Sequence, residues 1–176
     1  MKKKFKNDLN QKFSRGTIWT HWLTVLLILV LILSSLKIAG FESMERMTII
    51  TIHLLLGSSV FFFTIVRSIL LFKNKQPEHL KTGSRFIDKL VVWNHYSFYL
   101  LLFTISIMGI VVMFTGNYIE GISSGNIENI VSPKEIALLK YHVLITLLVV
   151  FLVVIHVIGV IKHYVFTKEN TLKRIL

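Results

Sequence analysis

Hydrophobic residues along this chain gather into four long runs, at roughly 17–39, 47–72, 90–114 and 141–165, with polar stretches between them. No Asp, Glu or Pro interrupts any run. A helix needs ~20 mainly apolar residues to cross the hydrocarbon core of a bilayer, and each run meets that length. The pattern predicts an all-α fold, an integral membrane four-helix bundle, with residues 1–176 in a single domain and no internal repeat. The connection between the first two runs is short, whereas the others are longer and polar. The last, 115–140, holds Gly116, Gly121, Gly125 and Pro133, and Ser132 followed by Pro133 predicts the start of a short surface helix. The basic segment ahead of the first run is like the opening of a secretory signal. The run from Ile18 to Ala39 is too long for one and lacks a small-residue cleavage site, so a retained helix is expected.

Composition agrees with a membrane protein: 53% of the residues are hydrophobic. The formal charge of +11 does not point to nucleic acid, because the Lys and Arg lie between apolar runs instead of on one folded face. The absence of cysteine excludes disulfides, thiolate zinc sites, Fe–S clusters and covalently attached haem. Any metal chemistry must rest on His, Asp, Glu or Met.

Basic residues near span ends set orientation, since they stay on the cytoplasmic side. Lys2, Lys3, Lys4, Lys6, Lys12 and Arg15 precede the first run, Lys73, Lys75, Lys81, Arg85 and Lys89 separate the second from the third, and Lys168, Lys173 and Arg174 close the chain. The opposite loops offer Arg46, Lys134 and Lys140 against Glu42, Glu45, Glu120, Glu128 and Glu135. Both termini are therefore expected in the cytoplasm.

Six of the seven histidines fall within or at the edges of the runs, and only His79 sits in a loop. A polar ring in hydrocarbon is costly, so intramembrane histidine points to function unless it merely hydrogen-bonds a neighbouring helix. His142 and His156 share the fourth run fourteen residues apart. At 3.6 residues per turn they lie within about 40° of one another and about 21 Å apart along the axis. One helix thus offers a ligand near each membrane surface, as two stacked b-type haems would require, each iron taking one imidazole from this helix and one from another. Matching depths pair His53 with His142 for an outer haem and His21 with His156 for an inner one. On geometry alone, His95 competes with His21.

Neighbouring positions admit two readings each. Gly57, one turn after His53, could let a porphyrin edge approach or could serve helix packing. Arg67, fourteen residues after His53 on the same face, could pair with a haem propionate or anchor the helix by snorkelling. Trp22, Trp93 and Tyr164 read most simply as an aromatic belt.

The segments IWTHWL with His21, TIHLLLG with His53 followed by Arg67, WNHYSFYLLLF with His95, and KYHVLITLLVVFLVVIHVIGVIKHY with His142, His156 and His163 resemble the bacterial cytochrome b561 family, as does the ending KENTLKRIL. The likeness covers almost the whole chain. It implies a dihaem cytochrome b domain over 1–176 with two haem b per chain, His21 and His156 as inner axial ligands, and His53 and His142 as outer ones. His95 and His163 are left by that resemblance to line a ubiquinone site at the inner face. A superoxide:ubiquinone oxidoreductase belongs to this family, but three basic residues against five glutamates in the outer loops, Lys37 aside, do not supply the positive potential that steers an anion.

The leading expectation is a membrane oxidoreductase that takes electrons from an outer-face donor, passes them through two haems and reduces ubiquinone near the inner face. A cytochrome subunit that docks a separate periplasmic dehydrogenase is the alternative within electron transfer. A histidine-based metal or proton transporter would ordinarily carry broken helices and mid-membrane acids, which the runs lack.

Overall fold

The structure is a computed structural model, and it describes residues 7–38, 43–126 and 129–176. Lys2, Lys3, Lys4, Lys6, Ala39, Glu42 and Glu128 lie outside the described residues. Four long helices carry the fold: α1 (Arg15–Ile38), α2 (Ser43–Lys73), α3 (Arg85–Thr115) and α5 (Ala137–Thr167), with a short α4 (Tyr118–Ser124) and a closing 3-10 turn (Thr171–Arg174). No strand occurs among the described residues. All four long helices have the length and apolar composition of membrane spans, so the protein is an integral membrane four-helix bundle. Large apolar side chains such as Trp19, Leu33, Phe72 and Leu147 remain exposed on the outside, as a lipid-facing surface requires.

The helices pack α1 on α2, α2 on α3 and α3 on α5. Val60, Leu102 and Val149 form a buried layer midway along the bundle, with Leu27, Ile28 and Leu31 of α1 packed against it. Among the described residues the largest fully buried side chains are Thr24 of α1 and Thr64 of α2, each 1% exposed. Each hydroxyl is satisfied within its own helix, Thr24 on the Thr20 carbonyl at 2.6 Å and Thr64 on the Val60 carbonyl at 2.7 Å. Small residues with internally bonded hydroxyls let two helices approach without stranding a polar group in hydrocarbon.

One end of the bundle carries the N-terminal segment from Asn7, the C-terminal segment and the α2–α3 loop, and hydrogen bonds join them. The Asn7 side-chain amide donates to Glu169 Oε2 at 2.6 Å and to the Lys81 carbonyl at 3.1 Å, and its Oδ1 accepts from the Lys81 N–H at 2.8 Å. Arg174, buried beside Phe13, donates to the carbonyls of Gln11 at 3.1 Å and Glu78 at 2.7 Å. Gln76 turns its amide back onto the Leu70 and Leu71 carbonyls, covering the open end of α2.

The opposite end is closed by Val112, Tyr118 and Ile136, with Ile50, Ile130 and Leu139 against them. Here the short helix expected from Ser132 and Pro133 is absent. The segment at Pro133–Glu135 is a single turn, closed by the Glu135 N–H on the Ser132 carbonyl at 2.9 Å, and the short helix forms earlier, at Tyr118–Ser124. Burial of Tyr118 decides this: its ring lies so close to Gly116 that any side chain there would collide with it.

Candidate functional site

The bundle holds histidines in two layers, one on each side of the Val60–Leu102–Val149 layer. In the layer away from the termini, α2 supplies His53 and α5 supplies His142, with ring centres 6.4 Å apart and planes inclined at 66°. His53 Nδ1 lies 2.9 Å from Ser34 Oγ of α1. His142 Nδ1 is buried, and its ring faces the Ile105 carbonyl of α3 and rests on Gly109 of that helix, where an added methyl would meet Cε1 at 3.3 Å.

The layer nearer the termini is richer. His21 of α1, Arg67 of α2, His95 of α3 and His156 of α5 come within electrostatic reach of one another. The rings of His95 and His156 meet edge to face at 5.4 Å, and Phe98 packs edge-on to His156 at 5.7 Å. His95 donates from Nδ1 to the Val91 carbonyl at 2.7 Å, which leaves Nε2 with the free lone pair. The Asn94 amide stands 3.3 Å from His156 Nδ1, and its Oδ1 is buried without a partner. Arg67 lies over the Tyr99 ring at 5.4 Å, with Nε buried and unpaired.

His163 stands two turns beyond His156 toward the terminal end. Its Nε2 meets Glu169 Oε2 at 3.1 Å, with the two side chains only 10% and 18% exposed. Burial pushes the Glu169 carboxyl up, but donation from the Asn7 side chain and backbone and from His163 outweighs this and holds it below the usual carboxylate range. His95 and His163 share no direct contact. Trp22, expected in an aromatic belt, instead donates to the Ile175 carbonyl at 2.8 Å, so it also ties α1 to the chain end.

A profile describing prokaryotic cytochrome b561 matches residues 12–176. The chain belongs to the prokaryotic cytochrome b561 family. It is similar to a protein of Yersinia pestis described as a probable superoxide oxidase CybB, with 25% identity over 172 residues, 96% of this chain and 97% of that one. As a member of this family the protein is a bacterial membrane cytochrome b with an electron-transfer role, an oxidoreductase whose prosthetic group is b-type haem.

The residues present suit that group. An imidazole nitrogen binds a metal at about 2.0–2.1 Å, so two rings in line across one ion would have centres roughly 6 Å apart. The His53 and His142 rings stand at 6.4 Å. Beside Gly57, no protein atom comes within 4 Å of where a side chain would begin. The unpaired Nε of Arg67 is a donor suited to an anionic group such as a propionate.

Ser34, Asn94, Tyr99, Gly109 and Glu169 join the site without having stood out in the sequence. Ser34 and Asn94, as polar residues inside apolar runs, carried a detectable signal.

Proposed function

We propose that this cytochrome binds two haem b, one held axially by His53 and His142 and the other by His21 and His156, and reduces ubiquinone near the end that carries the termini. That end is the cytoplasmic one in this reading, because the Lys and Arg concentrate there, and the membrane is the bacterial inner membrane. The observation that carries the proposal is the two-layer histidine arrangement, with its 6.4 Å pair at the far end. When bound, haem supplies one-electron exchange between an outside donor and the quinone.

The chain's own part is to position these groups and to manage protons. Conversion of a quinone to a quinol consumes two electrons and two protons, and the protons need titratable side chains between the bundle and water. His95 and His163 are the residues proposed to contact the quinone, with His163 connected through Glu169 to the terminal cap. Arg67 is proposed to offset propionate charge.

The relative's description suggests superoxide as donor. The described charged side chains at the far end, Lys37, Arg46, Lys134 and Lys140 against Glu45, Glu120 and Glu135, are nearly balanced and supply no strong positive potential to steer it. That favours a second reading for the donor, a docked dehydrogenase or other redox protein for which this chain serves as the cytochrome subunit. Purified protein is expected to yield close to two acid-extractable haem b per chain, and its reduced haems to be reoxidised by a soluble ubiquinone analogue. A folded preparation made with haem supplied that binds none would end the proposal, and a preparation that consumes superoxide at rates matching quinone reduction would restore superoxide as donor.

A further inference from the structure

We propose that Ser34 is a positioning residue that fixes the tautomer of His53, holding the proton on Nδ1 and turning the lone pair of Nε2 toward the iron; this rests on the dihaem reading. Ser34 is 7% exposed and belongs to α1, a helix that contributes no ligand to the far-end haem in that reading. Its oxygen lies 2.8 Å from the Leu31 carbonyl and 2.9 Å from His53 Nδ1. A carbonyl can only accept, and a hydroxyl has one hydrogen, so the bond to Leu31 uses that hydrogen. Toward His53 the same oxygen can then only accept. His53 Nδ1 therefore carries the proton, and a neutral imidazole so protonated presents its lone pair on Nε2.

The neighbouring Ser35 gives an internal control. It makes the same kind of bond, to the Ile32 carbonyl at 2.8 Å, yet touches no histidine. His142 across the site lies against α3, facing the Ile105 carbonyl and resting on Gly109. The two ligands of one haem are thus oriented from different helices: His53 by a hydrogen bond from Ser34 of α1, and His142 by its contacts with α3. A ligand that donates its second N–H is more basic, which favours the ferric over the ferrous iron.

The experiment is a spectroelectrochemical titration of holoprotein, with the rate of haem loss to an excess of a soluble haem scavenger, for wild type and the variants Ser34→Ala, Ser34→Thr, Ser34→Val and Ser35→Ala. The far-end haem is the one missing from His142→Ala. Ser34→Ala is expected to raise its potential by up to about 59 mV, a tenfold change in ferric preference for a one-electron couple, and to speed its loss about 10–100-fold, as removal of an outer partner of a metal-bound histidine does. The second haem should not move, Ser34→Thr should restore both values, and Ser35→Ala should match wild type. If Ser34→Ala does not accumulate, Ser34→Thr against Ser34→Val, alike in shape, isolates the hydroxyl. An unchanged potential and loss rate in wild-type-like protein carrying two haems would overturn the role of Ser34 alone. Wild type binding fewer than two haems would instead overturn the reading beneath it.

Discussion

The two histidine layers are built from the same helices but differ in what surrounds the rings. At the far end a pair of imidazoles meets one hydroxyl and one glycine, and that end of the bundle is closed by the apolar cluster of Val112, Tyr118 and Ile136. At the terminal end three histidines, an arginine, an asparagine and a tyrosine gather beneath a hydrogen-bonded polar cap. A layer that only holds a one-electron group needs ligands and a dry shell. A layer that must also deliver protons needs further titratable and hydrogen-bonding groups with a route to water. The contrast is the physical basis for placing quinone chemistry at the terminal end.

The largest effects should come from the ligands. His53→Ala and His142→Ala should each abolish one low-spin haem signal and leave the other, because an iron that loses one of two imidazoles becomes high-spin or dissociates. His21→Ala and His156→Ala should abolish the complementary signal. Spectra of the four purified variants check this. If His95→Ala removes a low-spin haem and His21→Ala does not, the pairing at the terminal end is reversed, which the 5.4 Å approach of His95 to His156 makes a pointed alternative.

Next in size is the proton-handling half of the contrast. His95→Ala and His163→Ala should keep both haem spectra while slowing reoxidation by a soluble ubiquinone analogue, by about 10²-fold if each acts as a general acid. Stopped-flow traces decide it. Unchanged rates in both variants would remove the quinone from this end and leave His95 and His163 without a proposed task.

A smaller effect is expected at the glycines. Gly57→Leu meets no protein atom within 4 Å of its first carbon, so the fold should tolerate it while far-end haem occupancy falls. Gly109→Ala presses on the His142 ring at 3.3 Å and should perturb the same haem's spectrum with less loss. Haem-to-protein ratios for both variants test the point; full occupancy in Gly57→Leu would mean that Gly57 faces lipid or packing and no macrocycle.

The parts of this arrangement readable in the sequence are those encoded by length or by rarity. Four apolar runs announce four spans, and a histidine in hydrocarbon is conspicuous wherever it falls. What depends on rotation about a helix axis was not readable. Ser34 and Ser35 are adjacent in sequence, and only the packing of α1 on α2 turns the first and not the second onto His53. Gly109 is one glycine among nine until His142 is seen resting on it. The terminal cap was invisible for another reason: Asn7 and Glu169 are 162 positions apart, and nothing in the polar segments that contain them, the ending KENTLKRIL included, says that they meet. The misplaced short helix shows the same limit, since Ser132 and Pro133 fit a helix start locally while the burial of Tyr118 settles the matter from a distance.

The smallest predicted effect concerns that cap. Glu169 accepts from the Asn7 backbone and side chain and from His163, so its carboxyl sits below its ordinary value of 4.5. A carboxyl whose pKa is lower folded than unfolded stabilises the fold above its unfolded value, and that contribution disappears as pH falls through the folded value. Glu169→Gln keeps one acceptor oxygen and loses the charge, and the site is near the surface, so the cost at pH 7 should stay under about 1 kcal/mol. Melting of wild type and Glu169→Gln in the same detergent should differ slightly at pH 7, with wild type higher. The gap should narrow once the pH drops well below 4.5, where the wild-type carboxyl also becomes neutral. A gap of equal size at both pH values would show that shape and not charge joins Asn7 to the chain end, and would take Glu169 out of any proton route through His163.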